Sequence, residues 1–331
     1  MTGALHALAE RTRWNPRHAD YVVGTSAGSV LAALGAAGVP PWLLIPESAA
    51  NIYHAQVDGD GNLEFHSDLW ERIIRRRRLS LPRPGPGSLS LTMASLGRGR
   101  WRFLKAISGL APAGSISTDP IKESVRWIAD DTGWVPHPHA WIVACDYLTG
   151  DRVVFGQEGS PHADIAQAVA ASCAIPGYYC PEEIDGRFYV DGALHSMSNL
   201  DLLLGLKLDL VVVISPHSAR LRFRGWDPFD RFTDATRLLA ARQVDAEVEA
   251  LRAEGTEVLL LEPTAEDLGA IGANVMNERR RGRVMRTATR TVLEQLERPE
   301  VQALLPLIER PAPTRPAEAP AGAKPSLRPA I

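Results

Sequence analysis

The stretch "VVGTSAGSV", residues 22 to 30, constrains this chain more tightly than any other. An apolar run of strand type stops at Gly24, a single serine stands at position 26, and a small-residue helical segment begins beyond Gly28. The strand and the helix lie close together in the chain, so a tight turn carrying Ser26 is expected between them. Gly24 and Gly28 leave room for that turn, where side chains would crowd the neighbouring strand and helix. The serine is thereby lifted to the helix N-terminus, and the Ala27 amide is placed to stabilise an oxyanion. This is the sequence context of a nucleophile elbow. The plainer alternative is a Gly/Ser turn with no chemistry, and a phosphate loop is disfavoured because no GxxxxGK[ST] pattern is present.

Periodicity around this feature sets the fold class. Leu5, Leu8 and Ala9 have helical spacing, and "SVLAALGAAG" reads as a helix closed by Gly38. Further on, "STDPIKESVRWIA" predicts a helix with Asp119 as N-cap and Pro120 at its first position. "WIVACD" and "RVVFG" read as strands flanking the "LTGD" turn, and "EIDGRFYVDG" as a hairpin turned at Asp185-Gly186. Apolar strands are expected again at 210–215 and 257–262. Alternating strands and helices predict a layered α/β domain with a largely parallel sheet.

That domain spans residues 1–310. Residues 54–114, rich in Pro, Gly and Arg, read as an excursion from the core. The final segment, 311–331, holds six prolines in 21 residues and is expected to stay disordered.

The formal net charge of −3 argues against a nucleic-acid-coating protein. Between Arg72 and Lys105, however, lie ten Arg/Lys and no Asp/Glu, interleaved with Trp101 and Phe103. Residues 72–105 are therefore a candidate for peripheral contact with an anionic membrane, against the alternative of a solvated loop. Arg279 to Arg281 and Arg283 read as an exposed helical face. Cys145, Cys173 and Cys180 cannot all pair and lack zinc spacing, which favours reduced thiols and a cytoplasmic setting. The longest apolar stretch is interrupted by Lys207 and Asp209, so no spanning helix is expected.

A serine nucleophile requires a base at neutral pH. His195 and His217 both follow strand ends and could approach Ser26. Asp191 is the stronger candidate: it closes a strand, is followed by Gly192, and becomes basic enough if partly buried.

Taken together, "GTSAGS", "SISTDPIKESV", "ACDYLTGDRVVF", and "ASCAIPGYY" followed by "IDGRFYVDGALHS" resemble the patatin-like phospholipases over most of residues 3 to 310. The resemblance implies a three-layer α/β/α sandwich with a mainly parallel central sheet. It implies a Ser26–Asp191 dyad that hydrolyses phospholipids or other acyl-ester lipids through an acyl-enzyme, with no metal or organic cofactor. Gly24, Ala27 and Gly28 form the elbow, and Gly192 and His195 become neighbours of the site. The family also carries a glycine-rich run ending in Arg/Lys-Gly, at the end of its first core strand, whose amides form the oxyanion hole. Here Gly3 matches only its last glycine, and Thr2 stands in place of the basic residue. The expectation is that Met1 lies inside a longer protein, preceded by about 10 to 15 residues of strand and loop. Two alternatives stay open: a Ser/His/Asp esterase based on His195 or His217, and a lipid-binding protein of impaired activity.

Overall fold

In the computed structural model, the described residues are 1–44, 56–57, 63–64, 87–94, 109–110, 112–220, 228–272 and 280–308. All ten cations of the 72–105 stretch, Trp101, Phe103, Arg279 and the 311–331 tail lie outside them.

The architecture is built on β4 (Ala140–Asp146), whose seven residues are all buried. Two strands meet end to end along one of its edges. β1 (Val22–Thr25) runs parallel to β4 and finishes with Thr25 opposite Val143. β7 (Arg187–Asp191) runs antiparallel and finishes with Asp191 opposite Ala144. β5 (Arg152–Phe155) covers residues 142–145 of β4 and so must take the opposite edge. β6 (Glu182–Ile184) pairs with β7, and the turn between them puts Asp185 at φ 49° and Gly186 at φ 73°. Positive φ at both turn residues is what a two-residue hairpin requires, and Asp-Gly supplies it. A two-residue ribbon, β2 (Gln56–Val57) with β3 (Leu63–Glu64), stands apart, and β8 (Leu210–Ile214) pairs in parallel with β9 (Glu257–Leu261).

The α/β class expected from periodicity is what the chain adopts, with one correction to the sheet. β1–β4 and β8–β9 are parallel, but β4–β5, β4–β7 and β6–β7 are antiparallel, so the main sheet is mixed. Short connections such as "LTGD" and Asp185-Gly186 permit only antiparallel neighbours, whereas a parallel pair needs a long crossover.

Alternation along β4 separates two cores. Ala140, Ile142 and Ala144 face a layer made by α2 (Ala27–Ala36), a later helix at Asp119–Val125 and another at Ile165–Cys173. Trp141 faces the other way, toward β8, β9 and a long helix at Pro228–Ala253 that contributes Val244, Val248 and Leu251. A third cluster packs α1 (Thr2–Thr12) against β9 and a helix at Arg281–Leu296. In chain order, with Leu89–Ala94 as α3, these helices are α4 (Asp119–Val125), α5 (Ile165–Cys173), α6 (Pro228–Ala253), α7 (Ala265–Ile271) and α8 (Arg281–Leu296).

Two local expectations are revised. The N-cap of α4 is Thr118, one residue before Asp119, and its hydroxyl donates to Glu182 Oε2 at 2.5 Å instead of capping the helix. The excursion also returns to the core: Leu91 of α3 is completely buried with Cys145, Tyr147, Val190 and Leu194, and Ser88 Oγ donates to the Tyr147 carbonyl at 2.8 Å.

Candidate active site

Because β1 and β7 converge head to head on β4, residues 165 positions apart in the chain meet at Val143/Ala144. Ser26 leaves β1 at φ 55°, ψ −132°, a conformation that L-residues rarely adopt, and α2 starts at the next residue. Three contacts hold this turn. The Ser26 amide donates to Ser172 Oγ (2.9 Å), Ser172 Oγ donates to the Val143 carbonyl (2.6 Å), and the Ser26 carbonyl accepts from Ser29 Oγ (2.6 Å). The Ser26 backbone is thus tied both to the scaffold strand and to its own helix.

The two elbow glycines differ. A Cβ on Gly24 would lie 2.6 Å from Ala32 Cβ, the Gly28 carbonyl oxygen and Ser29 Cα, so α2 can lie against β1 only because that side chain is missing. Gly28 is not so constrained, which corrects the sequence expectation: the nearest atom to its Cβ position is Met1 Sδ at 4.0 Å. Gly192 is again forced, since its Cβ would stand 2.4 Å from the Val143 carbonyl oxygen.

Asp191 is 4% exposed. Its carboxylate accepts a hydrogen bond from the Ala193 amide at 2.9 Å, and the Ser26 hydroxyl lies near enough to favour its charged form. Burial disfavours the charge and outweighs both effects, pushing the pKa up from 3.8 to about 6. A carboxylate with this pKa is ionised at neutral pH yet basic enough to accept a hydroxyl proton. Cys173 lies beneath the site, its Sγ 3.6 Å from Ser29 Oγ. Burial, and then the Asp191 charge, push that thiol up to about 12, so it stays neutral.

The pair lies in the wall of a cavity of about 900 Å³ that Ala27 and Gly28 also line. The same wall takes in Tyr21, Val23–Thr25 of β1, all of β8, and Leu194, Leu203 and Ile308. Among the described residues β1 pairs only with β4, and β8 only with β9, and both strands line this space. Met1 also lines the cavity.

Other sequence candidates fall elsewhere. Gly3 lies in the first turn of α1 against α8, where a Cβ would stand 2.5 Å from the Met285 carbonyl oxygen, so its smallness serves helix packing. His195 follows a 3-10 turn after Asp191 and is not part of the cavity wall. His217 does line the cavity, beyond the end of β8, as an exposed residue. Sequence reasoning missed Ser172, Ser29 and Asn199. Of these only Ser172 left a local trace, as a polar residue in the buried, alanine-rich segment "IAQAVAASC". Among the described residues no group of three His, Cys, Asp or Glu could hold a metal ion. None of the described helices is long and apolar enough to cross a membrane.

A family-wide sequence profile described as "Patatin-like phospholipase" matches residues 1–204, which include β1, α2, β4 and β7 with Ser26 and Asp191. The chain belongs to the patatin-like phospholipase family. Curated relatives include uncharacterized NTE family proteins of Mycobacterium bovis and of two strains of Mycobacterium tuberculosis. Each is 33% identical over 108 residues, or 32% of this chain and 28% of the relative. The matched stretch is therefore under a third of those relatives' length.

Proposed function

We propose that this patatin-like protein hydrolyses acyl esters of phospholipids or related lipids with Ser26 as nucleophile and Asp191 as its only general base. The observation that carries this reading is that β1 and β7 end at adjacent residues of β4, which brings Ser26 beside the buried Asp191 carboxylate in the wall of one large cavity. Ser26 Oγ attacks the acyl carbonyl carbon while its proton passes to Asp191. The ester oxygen then leaves, taking that proton, and the acyl group remains on Ser26. A water molecule gives its proton to Asp191 as it attacks the acyl-enzyme, and the fatty acid departs as Ser26 recovers the proton.

The Ala27 amide opens α2 and has no acceptor within the helix, which suits it to the developing oxyanion. One amide is a weak oxyanion hole, and losing a single donor costs about 10²–10³ in turnover. The cationic 72–105 stretch is proposed to hold the protein at an anionic bilayer.

A fluorophosphonate probe together with fatty-acid release from phospholipid vesicles tests the dyad. Labelling and hydrolysis should both vanish in Ser26→Ala, and hydrolysis in Asp191→Asn, while joint replacement of His195 and His217 should spare both. Hydrolysis that survives Asp191→Asn but not the double histidine variant would establish a histidine base instead. Neutralising Arg75 to Arg78 should abolish salt-sensitive binding to anionic liposomes, and unchanged binding would remove the membrane contact.

A further inference from the structure

We infer that Asn199 is a positioning residue for the Ser26–Asp191 pair, a role that rests on the dyad reading above. It lies eight residues beyond Asp191, in the loop that carries the chain away from the base, and is completely buried. Its Nδ2 donates to Thr25 Oγ1 at 3.0 Å and to the Ser196 carbonyl at 2.7 Å. Its Oδ1 accepts from Arg152 Nη1 at 3.2 Å, and that guanidinium is held in turn by Asp201 Oδ1 at 2.6 Å. A carbonyl only accepts and a guanidinium only donates, so these partners fix which way the amide faces.

Thr25 is the last residue of β1 and the immediate neighbour of Ser26. Asn199 therefore closes a ring: from Thr25 through its own amide to the 192–199 loop, back to Asp191, and across to Ser26. The ladder on β4 fixes the two strand ends relative to each other, and Ser172 and Ser29 hold the turn at Ser26, but neither fixes the loop after Asp191. Asn199 ties that loop to the residue beside Ser26. Its backbone stands at φ 52°, a left-handed conformation that asparagine tolerates better than most side chains. The loop is pinned independently on its far side, where Glu247 accepts from Ser196 Oγ (3.0 Å), from the Leu200 amide (3.1 Å) and from Ser198 Oγ. With Glu247 holding the loop to α6, the Thr25 contact is left to set its position relative to the elbow.

The test separates this role from plain stability. Asn199→Gly removes the side chain while keeping the left-handed backbone at no steric cost, and Thr25→Val removes the partner hydroxyl at nearly constant volume. Thr25→Ser restores that hydroxyl. The variants are assayed with a soluble fatty-acyl ester at a temperature where circular dichroism shows each to be folded. Each of the first two should lower kcat by about ten- to a hundredfold with little change in KM, and should move the acid inflection of kcat/KM away from the wild-type value. The double variant should be no worse than the poorer single, and Thr25→Ser should recover most of the rate. Wild-type kcat and pH profile in folded Asn199→Gly, or losses that multiply in the double variant, would overturn the assignment. Ser26→Ala and Asp191→Asn are run alongside. Activity persisting in those two sinks the dyad itself, whereas their inactivity beside a wild-type Asn199→Gly sinks only the positioning role.

Discussion

Asp191 links activity to stability through one quantity, and the two should move in opposite directions with pH. Its folded pKa of about 6 exceeds the ordinary value of 3.8, so the folded state binds the proton more tightly than the unfolded chain does. A raised pKa contributes stability that is complete below pH 3.8 and disappears as pH rises through 6. The shift corresponds to about 3 kcal/mol in all, roughly half of it lost between pH 5 and pH 8. Over the same interval the base becomes ionised, so kcat/KM should climb about tenfold per pH unit below 6 and level off above it. Asp191→Asn cannot ionise. Its free energy of unfolding in urea, measured at pH 5 and again at pH 8, should gain on the wild type by about 1–2 kcal/mol across that interval while its activity is absent throughout. Using the difference between two pH values cancels any constant offset from exchanging a carboxylate for an amide. Parallel wild-type and Asp191→Asn stabilities across this range would refute the burial argument, and so would an acid inflection of kcat/KM near 4.

Three further outcomes follow from the packing around the site. Gly24→Ala should be destabilising by about 1–3 kcal/mol or more, since its methyl would meet two backbone atoms and Ala32, whereas Gly28→Ala should melt within a few degrees of wild type. Equal melting temperatures would show that the strand-to-helix contact relaxes freely. Ser172→Ala leaves both the Ser26 amide and the Val143 carbonyl without that hydroxyl, at a cost of about 1–3 kcal/mol, and activity should fall with stability; an unchanged urea midpoint would deny Ser172 its bridging role. Cys173, with a thiol pKa of about 12, holds roughly one thiolate in ten thousand at pH 8 and should resist iodoacetamide until the protein unfolds, while half-buried Cys180 reacts first, as read by peptide mass spectrometry.

What could be read from the sequence here was whatever is encoded within a few neighbouring residues. The elbow is written in one nine-residue run because glycine, strand periodicity and helix periodicity all fall side by side there. The Asp185-Gly186 hairpin is equally local, as is the burial of Cys145 on a seven-residue apolar strand. Strand direction was less legible, because a period of two identifies a strand without saying which neighbour it joins. The partners of the site were illegible for a different reason. Ser172 lies 146 residues from Ser26, and Asn199 lies 174 residues from Thr25. Serine and asparagine are common enough that neither position carries a pattern, and only closure of the sheet gives them a role. Thr118 shows how such a contact overrides a local rule. It takes the N-cap position that the sequence assigned to Asp119, yet its hydroxyl is taken by Glu182, 64 residues away.

The site gathers unfavourable conformations and charges in one place, and the scaffold must hold them. Ser26 at φ 55°, ψ −132° stores about 1–3 kcal/mol of backbone strain, and ionised Asp191 stores a comparable amount. Against a typical domain stability of about 5–15 kcal/mol, these two residues are a substantial burden. β4 bears it: all seven of its residues are buried, it is paired on both edges, and its Val143 carbonyl reaches the nucleophile through Ser172. The strain at Ser26 belongs to the backbone and not to the hydroxyl, so the two can be separated by substitution. Ser26→Ala removes the nucleophile but leaves a Cβ in the same conformation, and its stability should stay close to wild type. Ser26→Gly removes both, and despite the greater entropy of an unfolded glycine it should be more stable than Ser26→Ala by about 1 kcal/mol. Urea titrations of both inactive variants at pH 8 measure this directly. If the alanine variant is as stable as the glycine variant, the turn at residue 26 is not strained, and the bonds from Ser172 and Ser29 need no strain to hold.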